Sequence, residues 1–173
     1  MTRYAGFLRG VNVGGVTMKM ADVTAALGEA GFADVRTVLA SGNVVLDSEL
    51  TGSAVRAKAE RVLRDSFGYE AWVLVYELDE VREIAAGFPF ETEVDGHHSY
   101  VTFVSDPEVL DELAALIDDA GPDEKIARGD GVLYWQGTKS GTLNSTIGRT
   151  MGKKRYKSST TTRNLRTLAK VLR

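Results

Sequence analysis

Three short stretches carry residue types that could hold an anion. The first is Phe7-Leu8-Arg9-Gly10-Val11-Asn12-Val13-Gly14-Gly15, in which an apolar run empties into a glycine-rich polar loop. Arg9 offers a planar fork of donors suited to phosphate or carboxylate. Asn12 adds an amide, while Gly14 and Gly15 permit a close backbone approach that presents N–H groups. The second stretch holds Ser41 and Asn43, and the third holds Thr161, Arg163 and Asn164. Should the three converge, they make a pocket for a phosphate or carboxylate ligand. Each residue also has a purely structural reading. Gly14, Gly15 and the Gly42-Asn43 pair suit tight loop geometry, and Arg163 suits pairing with a neighbouring carboxylate.

A second constellation lies near the C-terminal end. Residues 131–173 contain ten lysines and arginines and no aspartate or glutamate, so all 24 acidic residues of the chain precede them. Lys139, Lys153, Lys154, Arg155 and Lys157 form the candidate nucleic-acid patch, with Tyr156 or Trp135 as a face for base stacking. The competing account is internal neutralisation of the basic end by the acidic remainder.

Other chemistry finds little support. His97 and His98 are the only histidines, and neighbours on a strand point to opposite faces, which argues against a shared metal. With no cysteine, disulfides and thiolate-held metals are excluded. The glycines near Gly10 match neither a P-loop nor a dinucleotide fingerprint. No serine has an evident base and orienting acid. The sequence calls for no cofactor. Glu91, Glu93 and Asp95 read as a solvated cluster, since like charges so close together favour exposure. The N-terminus shows no basic region leading into a long apolar run, and no apolar stretch approaches the ~20 residues of a membrane span. The expected location is the cytoplasm.

The elements that must position these residues follow from periodicity. Residues 3–9 read as a buried strand. Met20, Val23, Leu27 and Ala30 recur at helical spacing up to Gly31. Val35–Leu39 and Val44–Leu46 flank a turn at residues 40–43. Ser53 is the expected cap of a helix bearing Val55, Ala59, Val62 and Phe67, which ends at Gly68. Ala71–Tyr76 reads as a strand, and Asp79 opens a short helix through Ala86.

The second half repeats this order. Ser99–Val104 is a strand, and Asp106-Pro107 is a helix start with a capping carboxylate and proline in the first turn. Lys125–Ala127 and Val132–Trp135 form a hairpin. Leu143, Ile147 and Met151 mark a helix stopped by Gly152. A last strand is placed at Tyr156–Ser159, followed by a terminal helix opened by Thr161 or Thr162. The order predicts an α+β protein of two tandem ferredoxin-like (βαββαβ) units with a C-terminal helix. The lobes span residues 1–90 and 97–173, with a linker at about 88–96.

The opening nine-residue motif, Lys19-Met20-Ala21-Asp22, Ser41-Gly42-Asn43-Val44 and the late Thr161-Thr162-Arg163-Asn164 together resemble a bacterial domain-of-unknown-function family, number sixteen-ninety-seven. The family commonly places a tryptophan after the late Arg-Asn, where this chain has Leu165. The resemblance implies a ferredoxin-like α+β fold and no assigned activity, substrate or catalytic residue. From the residues themselves, the expected function is binding of an anionic ligand, nucleic acid or a nucleotide. It would use the loop after the first strand and the basic C-terminal region. The rivals are an enzyme acting on a phosphorylated or carboxylated small molecule in the groove between lobes, and a protein-interaction module.

Overall fold

The computed structural model describes residues 1–12, 16–139, 146–151 and 153–173, with backbone alone at 146 and 151. The expectations placed on Gly14, Gly15, Leu143 and Gly152 lie outside these residues. The chain divides into two units, Met1–Arg82 with Ala169–Arg173, and Glu83–Leu168.

In the first unit, β1 (Thr2–Leu8) is buried from Tyr4 to Leu8, as an unbroken apolar run covered on both faces must be. It lies between β3 (Asn43–Ser48) and β4 (Val73–Glu77), with β2 (Ala33–Val38) outside β3, giving the order β2-β3-β1-β4. All neighbours are antiparallel. Two helices, α1 (Met20–Glu29) and α2 (Gly52–Phe67), bring their apolar stripes to this sheet. Val23 and Leu27 of α1 and Val55, Ala59 and Leu63 of α2 share a core with Leu8, Val44, Leu46 and Val73. The cap of α2 is Thr51, whose hydroxyl accepts from the Ala54 N–H at 3.3 Å, and not Ser53. Ser53 instead occupies the first turn, while Gly68 closes the helix at φ 66°, a left-handed conformation that glycine adopts without strain. Helix α3 (Leu78–Ala86) follows β4 directly.

The second unit has the same strand order. Its elements are β5 (His97–Val104), α4 (Pro107–Ala114), β6 (Lys125–Arg128), β7 (Val132–Thr138), α5 (Thr146–Met151), β8 (Thr160–Asn164) and α6 (Leu165–Val171). The sheet runs β6-β7-β5-β8 with antiparallel neighbours. Asp106 caps α4 as its sequence predicts, accepting from the Glu108 N–H at 2.9 Å, with Pro107 in the first turn. Val104, Leu110, Leu113, Leu133, Trp135, Ile147 and Tyr156 form its core. Residues 84–91 pack on the back of this sheet. The Tyr134 hydroxyl donates to the Ile84 carbonyl at 2.7 Å, the Gln136 amide to the Glu91 carbonyl at 2.6 Å, and Phe88 meets Tyr134 edge-on at 5.8 Å.

The end of the chain departs from expectation. Lys154–Tyr156 is a 3₁₀ turn, and the final strand begins four residues later than the expected start at Tyr156. Thr160, Thr161 and Thr162 are β-branched and pair with Val104, Phe103 and Thr102, so the threonines that were expected to open a helix extend a sheet. Asn164 takes over as the helix opener, its Oδ1 accepting from the Arg166 N–H at 2.9 Å.

Candidate functional site

The structure gathers Arg9, Asn12, Ser41 and Asn43 at one end of the first sheet, where the chain leaves β1 and turns between β2 and β3. The turn is tight. Leu8 N–H donates to the Gly42 carbonyl at 2.8 Å, and a Cβ on Gly42 would stand 2.8 Å from that of Leu8, at a backbone φ of 90°. Asn12, itself at φ 57°, clasps the loop. Its Nδ2 donates to the carbonyls of Met18 at 2.9 Å and Ala40 at 2.7 Å, while its Oδ1 accepts from Met18 N–H at 2.8 Å. The Ala40 bond ties the loop after β1 to the β2–β3 turn. Asn43 is wholly buried and donates to the Val38 carbonyl at 2.8 Å and to Ser41 Oγ at 3.0 Å. It begins β3 opposite Phe7 and Val38, so the left-handed positions of this turn are Leu39 and Gly42.

The amides of Asn12 and Asn43 are thus spent on main-chain groups and act by shaping the turn. Arg9 and Ser41 are half-buried, and Ser41 Oγ is the acceptor of the Asn43 amide. Burial holds the Arg9 guanidinium pKa below its ordinary value, which marks a cation carried into a less polar setting than water.

Thr161, Arg163 and Asn164 belong to β8 of the second unit. Arg163 is only 7 % exposed, and its Nη1 donates to Thr161 Oγ1 at 2.8 Å and to the Thr162 carbonyl at 2.9 Å. Thr161 is buried as well. These two residues serve the interior of the strand, whereas Asn164 faces the opposite side. There its Nδ2 approaches His98 Nδ1 at 3.3 Å. His98, Tyr100 and Trp135 form a ladder of rings, with centroid separations of 5.8 Å and 4.4 Å.

Of the basic patch, Lys139, Lys153, Lys154 and Lys157 are exposed, and among the described residues no ion pair involves them. Arg155 differs. It is bonded through two nitrogens to the Glu112 carboxylate, which the guanidinium holds below the usual carboxylate range. Trp135 at 3 % and Tyr156 at 9 % exposure are core residues, so neither offers a face to a base. Burial follows from their roles. The indole N–H donates to Thr102 Oγ1 at 2.9 Å, and the Tyr156 hydroxyl to Glu112 at 3.3 Å.

Two features escape a reading by motif. Glu60 is 9 % exposed, yet its Oε2 accepts from the Val73 N–H of edge strand β4 at 2.9 Å and from Arg56 at 3.2 Å. The signal was its place beside Ala59 on the apolar side of α2, four residues after Arg56. His98 is the other. Its alternation with Tyr100 on a strand was visible, but its proximity to Asn164 depends on the register between β5 and β8. Among the described residues, no group of three His, Cys, Asp or Glu side chains could hold a metal, and no helix is long and apolar enough to cross a membrane.

Fold and side chains together define an α+β protein built on two four-stranded antiparallel sheets of one strand order. The model of the family described as protein of unknown function, DUF1697, matches residues 1–134, and the chain belongs to that family. Among solved structures, the chain is similar to the conserved bacterial protein SP0830 from Streptococcus pneumoniae, with a TM-score of 0.79 and 21 % identity over 98 % of this chain and 96 % of that one. That likeness concerns the fold. An unknown protein from Galdieria sulphuraria aligns over 94 % of this chain and 96 % of its own at 9 % identity and a TM-score of 0.29. No curated protein matches.

Proposed function

We propose that this protein binds an anionic ligand, nucleic acid or a nucleotide, through the basic C-terminal region and the loop after β1. The carrying observation is the set of exposed lysines at 139, 153, 154 and 157, outside any described ion pair, in a stretch of sequence without a carboxylate. Lysines so placed lose little on meeting a phosphate backbone, and the counterions they release favour association.

The strand order in each sheet supports reading both lobes, 1–90 and 97–173 with a linker at about 88–96, as ferredoxin-like. A cytoplasmic location accords with the absence of cysteine. Recognition through the open face of such a sheet, as in single-strand RNA modules, has no support here, because Tyr134 and Trp135 are both buried. Contact is therefore with phosphates and insensitive to sequence.

The test is fluorescence anisotropy with a labelled single-stranded oligonucleotide at low salt. Replacing Lys139, Lys153, Lys154 and Lys157 together by glutamine is expected to weaken binding by at least about tenfold, as loss of four phosphate contacts requires. Equal binding by the variant would remove the basis of the proposal.

A further inference from the structure

Four of the five residues 153–157 are cations, and like charges so close repel one another. The segment is nevertheless compact. Lys153 N–H donates to the Thr150 carbonyl at 3.1 Å, Tyr156 N–H to that of Lys153 at 3.1 Å and Lys157 N–H to that of Lys154 at 3.3 Å, closing the 3₁₀ turn Lys154–Tyr156. One carboxylate answers the repulsion, that of Glu112 in α4. Its Oε2 accepts from Arg155 Nε at 3.0 Å and from the Tyr156 hydroxyl at 3.3 Å, and its Oε1 accepts from Arg155 Nη2. The Arg155 guanidinium also lies 5.9 Å from the centre of the Tyr156 ring.

Burial divides the labour within the turn. Tyr156 shares a core with Leu110 and Leu113 of α4, and its carbonyl accepts from Thr160 Oγ1 at 2.6 Å. It pins the turn from inside, and Arg155 pins it from outside. Lys153, Lys154 and Lys157 are left exposed, with no ion pair among the described residues. The neighbouring carboxylate on α4, Asp111, is taken up by Arg128 at 2.7 Å.

We infer that Glu112 is the positioning residue of the basic patch: by fixing Arg155 and Tyr156 it presents Lys153, Lys154 and Lys157 as one preformed group to a nucleic-acid backbone. The inference rests on the nucleic-acid reading above and names a residue outside the patch on which the patch depends. Glu112 itself contacts no ligand, since both of its oxygens are engaged within the protein. Lysines ordered beforehand spare the complex the cost of ordering them on binding. A lone exposed ion pair contributes little, but a two-nitrogen fork joined to an anchored hydroxyl is a network of fixed geometry. The sign of the effect is diagnostic. Coulomb attraction alone says that removing a carboxylate beside a basic patch strengthens phosphate binding, whereas loss of positioning weakens it.

The test compares the full chain with Glu112→Gln and Arg155→Lys, each checked for an unchanged fold by near-UV circular dichroism. Arg155→Lys keeps the charge and loses the fork. In fluorescence anisotropy with a labelled single-stranded oligonucleotide, both variants are expected to bind about threefold or more weakly, with a shallower slope of log K against log salt. The double variant binds no more weakly than either, because the two residues act as one unit. Trypsin gives a readout that needs no ligand. Cleavage after Lys153, Lys154 and Lys157 is expected to run about fivefold faster in Glu112→Gln than in the parent, as loss of a well-formed exposed pair allows. Equal binding by Glu112→Gln, or unchanged cleavage, would overturn the inference and spare the nucleic-acid reading. Tighter binding would do the same, and would show that Glu112 occupies Arg155 in place of a phosphate. Failure of the parent to bind at low salt overturns that reading, and the inference with it.

Discussion

Asn12 and Asn43 show how one residue type serves two ends. An asparagine beside glycines reads equally well as a ligand donor or a turn former, and only its partners decide. Here Asn43 has no exposure, and its amide answers the Val38 carbonyl and Ser41. Asn43→Ala is expected to lower stability by about 1–3 kcal/mol, the cost of leaving buried partners unmet, as measured by the denaturant midpoint. A neutral result would mean that water replaces the amide and that the turn tolerates its loss. Charge pairs at this scale set acid behaviour. Arg155 depresses the Glu112 pKa and Arg3 that of Asp47, so both carboxylates bind fewer protons folded than unfolded. Their stabilisation is complete above the ordinary carboxylate pKa near 4 and is lost as pH falls through the depressed values. Thermal melts of Arg3→Ala and Arg155→Ala should differ from the parent at pH 7 and converge with it near pH 2.

Among the elements, those bounded by strong local signals were legible and those bounded by register were not. Helix α4 announces itself through Asp106 and Pro107, and the hairpin β6–β7 through the turn at residues 128–131. The last strand did not. Its threonines suit a helix cap as well as a strand, and the choice is made by pairing with β5, sixty residues away in the chain. The same non-local pairing brings Asn164 to His98, which is why that cluster could not be read from spacing. Position 42 tests the turn that joins β2 to β3. Gly42→Ala places a methyl 2.8 Å from Leu8 Cβ at a φ of 90°, so it is expected to cost more than the ~1 kcal/mol of a simple left-handed glycine replacement. Thermal unfolding measures it, and an unchanged midpoint would show that the turn relaxes freely.

At the scale of the whole molecule, the distribution of charge along the chain says more than its net value. The formal charge is −3, yet the last 43 residues hold ten cations and no carboxylate. Some of these cations are answered internally, as Arg155 is by Glu112 and Arg166 by Glu93. The lysines are not so paired among the described residues. Composition made this asymmetry plain from the start, but it could not separate paired arginines from exposed lysines, because Glu112 and Arg155 lie far apart in sequence.

The direct measurement is the salt dependence of oligonucleotide binding. If Lys139, Lys153, Lys154 and Lys157 each neutralise one phosphate of a single strand, log K falls against log salt with a slope of about −3. Binding at low salt with that slope is the expected result. Absence of binding at low salt, or binding indifferent to salt, would contradict the account.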